Sequence, residues 1–113
     1  MMKEIKTDNL WATPIWRTRI EEVNNEKLIQ FILDEQVTTP KGIQKSNNGG
    51  WHSRQDLYKD IELSELCEII AIVCSKLLPF TKGIQFRQMW AMINKKNDWN
   101  AIHQHGTYEI SGG

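Results

Sequence analysis

The apolar pattern of the chain changes period once, at Lys82-Gly83, and that change limits the fold more than any other feature. Upstream of it, Leu63, Leu66, Ile69, Ile70, Val73 and Leu77 recur at three- and four-residue spacing. This predicts an amphipathic helix from about Ile61 to Leu78, stopped by Pro79. Downstream, Ile84, Phe86, Gln88, Trp90 and Met92 alternate with Gln85, Arg87, Met89, Ala91 and Ile93, the two-residue period of a strand. Apolar residues on both faces near its end predict a central, two-sided strand. Helical support followed by extended chain places the fold in the α+β class.

The remaining segments extend this plan. Leu10 to Ile20 contains Ile15, Trp16, Thr18 and Ile20, with Arg17 and Arg19 alternating, which predicts an edge strand that Pro14 tolerates. Asn24 and Asn25, followed by Glu26, are N-cap candidates for a helix carrying Val23, Leu28, Phe31 and Ile32 and ending near Gln36. From Val37 to His52 the residues Pro40, Gly42, Asn47, Asn48, Gly49 and Gly50 mark a long loop. Lys95-Lys96-Asn97-Asp98 reads as a turn, with a strand from Trp99 to His105 after it and a third strand opening over Tyr108 to Ser111. The length suits one domain over residues 1–113, with a helical and loop support region over 1–83 and the first strands of a sheet over 84–113.

Lysine plus arginine number 14 and aspartate plus glutamate number 14, which argues against nucleic-acid or polybasic membrane binding, since both need surplus positive charge. No apolar run approaches the roughly 20 residues of a membrane span, and the polar N-terminus has no signal-peptide core, so a cytoplasmic protein is expected. Cys67 and Cys74 lie two helical turns apart, about 10 Å along the axis, too far for an undistorted disulfide. Their spacing also fails for a structural zinc pair, and they read as structural thiols. The 5 tryptophans offer a small chain a large apolar area, and core packing is their plain explanation.

His103-Gln104-His105 is the best chemical candidate. On a strand, residues two apart share a face, so both imidazoles would converge as a metal site requires. Imidazole ligates iron, zinc, copper and nickel alike, so the pair does not choose the metal, and two surface histidines beside a loop is the bland alternative.

Met89-Trp90-Ala91-Met92-Ile93-Asn94, the polar turn, Trp99-Asn100-Ala101-Ile102-His103-Gln104-His105 and Ile110-Ser111-Gly112 follow one another in order. Together they resemble a family of 2-oxoglutarate/iron(II) oxygenases with a tryptophan-bearing strand, an asparagine, a His-x-His-Pro stretch and a Leu-Ser-Gly strand opening. Ser46-Asn47-Asn48-Gly49-Gly50-Trp51-His52-Ser53 looks like the same family's Ser-Asn-x-Gly-Gly-Trp-His-Ser block, and Thr13-Pro14-Ile15-Trp16 is similar to its Thr-Pro-Ile/Val opening. The three blocks span nearly the whole chain. Gly106 replaces the family's proline and Gly113 a branched apolar residue. His105 also falls where the wider superfamily carries a carboxylate.

The resemblance implies a double-stranded β-helix (a jelly roll, cupin-like) on which the N-terminal strand and two helices pack. It implies iron(II) at His103 and His105, and 2-oxoglutarate as cosubstrate. Trp90, Asn94, Asn100, Trp51 and His52 would lie near the cosubstrate or substrate, itself a small molecule or peptide. A jelly roll needs eight strands, and Ile84 to Gly113 has room for roughly three or four. The family's distal histidine and its 2-oxoglutarate-gripping basic residue would come later. An incomplete barrel, inactive alone, is therefore the expectation. Two other readings stand beside it: a non-catalytic cupin-like module that binds metal, and an interaction protein that self-associates through an open sheet edge.

Overall fold

Asn24 opens the first regular element. Its backbone is extended (φ −80°, ψ 98°) and its side-chain oxygen accepts from the Lys27 N–H at 3.1 Å, the N-cap expected of this residue type. The helix it caps, α1, spans Asn25–Thr38. Leu28, Phe31 and Ile32 are half-buried on it, as their spacing predicts, and Glu35 and Gln36 continue the same face. In the computed structural model of the chain, residues 4–77, 83–106 and 110–113 are described. Leu57–Lys59 and Ile61–Leu63 form two successive 3₁₀ turns, and the second helix, α2, follows over Ser64–Leu77. The predicted helix began three residues earlier; that first stretch is the tighter 3₁₀ turn instead. Pro79 lies outside the described residues. No helix among the described residues is long and apolar enough to cross a membrane.

The strands are short and their pairing is long-range. β1 (Asn47–Asn48) runs antiparallel to β4 (Trp99–Asn100), with Asn47 opposite Asn100, and β2 (Trp51–His52) runs antiparallel to β3 (Met92–Ile93), with Trp51 opposite Ile93. One extended stretch, 46–53, thus lies along another, 91–101. Ala101 N–H to Ser46 O at 2.7 Å and Ser53 N–H to Ala91 O at 2.9 Å close the two ends. Between the two ladders each chain makes an excursion. Gly49 and Gly50, at φ +69° and +67°, turn one chain tightly, and residues 94–98 loop out of the other. The Asp98 N–H to Lys95 O bond and Asn97 at φ 75° confirm the turn predicted at Lys95–Asp98. The strands flanking that turn pair with β1 and β2 rather than with each other.

The two excursions touch. A Cβ on Gly50 would meet the Asn94 side-chain oxygen and sit 3.2 Å from the Ile93 carbonyl, and the backbone there is left-handed. Gly50→Ala is therefore expected to lower stability by about 1–2 kcal/mol, from strain and displacement of Asn94 together. Chemical denaturation of the two proteins measures it, and an unchanged midpoint would contradict the close approach.

Burial is concentrated between residues 47 and 63. Trp51, Leu57 and Leu63 form the apolar centre, with Asn47, His52 and Ser53 buried among them. Among the described residues no fully buried side-chain nitrogen or oxygen lacks a hydrogen-bond partner. The Ser53 hydroxyl accepts from the Ala91 N–H at 2.9 Å and donates to the Arg54 carbonyl at 2.8 Å. The Asn47 carboxamide accepts from the Lys45 N–H at 2.7 Å. Such satisfaction is what makes a polar centre tolerable.

Three extended segments are shorter than their alternation predicts. Residues 10–20 form no strand, and Leu10, Trp11, Ile15 and Trp16 are exposed. A strand needs a backbone partner, and none of the described residues pairs with this segment. The radius of gyration is 18.3 Å, against roughly 13 Å for a compact chain this long. Over 84–93 only Met92–Ile93 is in a ladder, with Met89 in a lone parallel bridge to Asp56. Over 99–105 only Trp99–Asn100 is. Of the third predicted strand, Tyr108 and Glu109 lie outside the described residues, and Ile110–Ser111 is not in a strand. The predicted loop over 37–52 instead contributes β1 and β2. The described residues comprise two helices and two short antiparallel ladders.

Candidate metal centre

β4 delivers the chain to His103 and His105, both exposed in a segment without regular secondary structure. The two rings nevertheless converge. Their centroids are 4.9 Å apart, and Nε2 of one lies 2.9 Å from Nε2 of the other. Each Nδ1 is already engaged: that of His103 with the Ala101 carbonyl at 2.8 Å, that of His105 with the Ser111 hydroxyl at 2.9 Å. The strand alternation that suggested the convergence is absent here, and ring hydrogen bonds produce it instead.

The spacing can be tested against metal geometry. With metal–nitrogen bonds of about 2.1 Å, two imidazoles at a right angle place their nitrogens roughly 3.0 Å apart, and at the tetrahedral angle roughly 3.4 Å. A separation of 2.9 Å is near the right-angle value and is also that of the hydrogen bond the two rings make with each other. The outer contacts fit as well, because metal-ligating histidines ordinarily hand their second ring nitrogen to a fixed partner. Among the described residues no group of three or more His, Cys, Asp and Glu gathers that could hold a metal ion.

Behind the pair runs a chain of neighbouring aromatic rings. Trp90 lies 6.1 Å from His105, tilted by 36°, and 5.4 Å from His52, nearly parallel at 11°. His52 is 2% exposed, and its Nδ1 donates to the Ser53 carbonyl at 2.6 Å, which holds its ring. The exposed pair is thereby connected to the buried centre through aromatic faces.

The other residues expected near a cosubstrate have different neighbours. Trp51 is buried and its indole N–H donates to the Thr39 carbonyl at 2.8 Å, so it joins β2 to the end of α1. Asn94 is exposed against Gly50. Asn100 is exposed, with its amide 3.3 Å from the Met92 sulfur. Cys67 and Cys74 are free and half-buried on α2, and burial pushes the Cys67 thiol up. Buried thiols were expected at both positions, and the helix leaves each of them partly open.

Sequence reasoning missed two groups. Ser111 carries no signal beyond its place in Ile-Ser-Gly. Arg54 is the other. Its guanidinium takes Glu35 in a two-point grip at 3.1 and 2.9 Å, Asp60 at 2.6 Å and Asp56 at 3.1 Å. The bonds to Glu35, then to Asp60, raise the guanidinium above its ordinary range, and Arg54 in turn holds the Asp56 carboxyl below its own. Glu35 is 19 positions away in sequence, beyond any local pattern. Compared with protein-family models, with curated proteins and with solved structures, the chain matches none.

Proposed function

We propose that His103 and His105 are metal ligands of an iron(II), 2-oxoglutarate-dependent oxygenase of the double-stranded β-helix type, a cytoplasmic enzyme hydroxylating a small molecule or peptide. One observation carries the reading: the two Nε2 atoms lie 2.9 Å apart while both Nδ1 atoms are held from outside. The order of the Gly-Gly-Trp-His, Trp-x-x-x-Asn and His-x-His blocks supports it. Such a centre, when loaded, supplies oxidative decarboxylation of 2-oxoglutarate coupled to C–H hydroxylation. Within this chain, Ala101 orients His103, Ser111 orients His105, and Trp90 limits rotation of the His105 ring. A third ligand and the group gripping the far carboxylate of 2-oxoglutarate belong to neither histidine.

The lack of a third His, Cys, Asp or Glu gathered with the pair among the described residues favours a second reading, a cupin-like module that binds metal without turnover. Anaerobic titration with iron(II), with and without 2-oxoglutarate, separates the two. The oxygenase reading expects a visible charge-transfer band that needs both additions and is lost in His103→Ala. Metal uptake with no such band would support the binding module, and no uptake at all would remove both.

A further inference from the structure

The hydrogen bonds around the two imidazoles permit one neutral arrangement of protons. A carbonyl oxygen only accepts, so His103 carries its proton on Nδ1, facing Ala101, and bares a lone pair at Nε2. His105 must then donate from Nε2 across the 2.9 Å gap. Its Nδ1 is left to accept from the Ser111 hydroxyl, also at 2.9 Å. The two rings therefore hold opposite tautomers. His103 is already in the form that binds metal through Nε2, and His105 is not.

Resting on the metal reading of the pair, we infer that Ser111 is a positioning residue that allows His105 to change tautomer without changing place. To ligate through Nε2, His105 gives that proton to solvent and takes one from solvent at Nδ1. The ring stays neutral and the number of bound protons is unchanged. Its Nδ1 thereby turns from acceptor to donor, and the partner must make the opposite change. A hydroxyl does so by rotating about its C–O bond, since it carries one donor and two acceptor sites. A carbonyl, such as the one beside His103, can serve only one of the two forms. After the switch both rings donate from Nδ1, to Ala101 O and to Ser111 Oγ, and both lone pairs at Nε2 converge. Ser111 is exposed and contributes nothing to the buried centre, so its removal leaves stability nearly unchanged. Any loss of metal affinity then acts through His105.

The test uses the whole chain and cobalt(II) alone, titrated calorimetrically into wild type, Ser111→Ala, Ser111→Thr and His103→Ala. Long-range nitrogen–proton NMR spectra of the histidine rings are recorded metal-free and with zinc(II). Wild type is expected to show His105 protonated at Nε2 without metal and at Nδ1 with zinc(II). Ser111→Ala is expected to bind cobalt(II) about 10-fold more weakly, with a mixture of His105 tautomers when metal-free. The hydroxyl of Ser111→Thr is expected to restore most of the affinity. Cobalt(II) affinity of Ser111→Ala within about 2-fold of wild type would overturn the role of Ser111 while leaving the pair a metal site. Wild type binding no better than His103→Ala would overturn the metal reading, and the switch with it.

Discussion

Trp51→Ala is expected to lower the free energy of unfolding by about 3–5 kcal/mol, the range for truncating a buried aromatic side chain. Trp51 is only 5% exposed and sits in β2, at the centre of the small group of buried residues. Its ring lies against Gly42, where even a Cβ would come within 2.8 Å of the indole nitrogen, so the site has little freedom to collapse around a cavity. The side chain also joins α1 to the paired strands, because its N–H donates to the Thr39 carbonyl just beyond the helix. Trp51→Phe separates the two contributions. The Thr39 carbonyl keeps the Gly42 N–H at 3.1 Å, so losing the indole donor strands no acceptor and is expected to cost about 1 kcal/mol. A domain of this size is stable by roughly 5–15 kcal/mol, so the alanine variant loses a large share. Denaturant unfolding followed by far-ultraviolet circular dichroism measures both, and an alanine loss below about 1 kcal/mol would contradict the central place given to this ring.

Residues with local partners were legible and those with distant partners were not. Asn24 caps α1 through an amide only three positions away, and the stripe of α2 is periodic within itself, so both helices can be read from the chain. The Lys95–Asp98 turn is likewise closed by its own residues. The register that sets Asn47 against Asn100 depends on contacts across half the chain, and each ladder is two residues long, too short to leave an alternation. Residues 10–20 show the converse error. Their alternation is real, but a strand exists only where a second chain accepts its backbone bonds. The histidine pair was found because His-x-His is unusual chemistry. Its tilted contact with Trp90, and through it toward buried His52, could not be read, since those contacts join separate segments.

Arg54→Ala is expected to destabilise the chain by about 2–3 kcal/mol at neutral pH, more than a surface ion pair and less than a fully buried one. The discount reflects an arginine side chain that is 36% exposed, while Glu35 at 18% and Asp60 at 23% are better shielded. Removing the guanidinium leaves those two carboxylates facing each other and Asp56 with no countercharge between them, and it releases the α1 side chain from the segment that follows β2. Arg54→Lys keeps the charge but not the two-point grip on Glu35, so it is expected to recover less than half of the loss. The pH dependence has a definite sign. Arg54 holds Asp56 below its ordinary value, so this stabilisation is fully present above an unfolded-state pKa of about 3.9 and fades as pH falls through the lower folded value. The gap between wild type and Arg54→Ala is therefore expected to be constant from pH 7 to about pH 5 and to narrow below about pH 4. Unfolding midpoints taken across that range read it directly. A gap that stayed constant into acid would mean that the arginine acts through packing of its aliphatic stem, which does not titrate, and not through the three carboxylates.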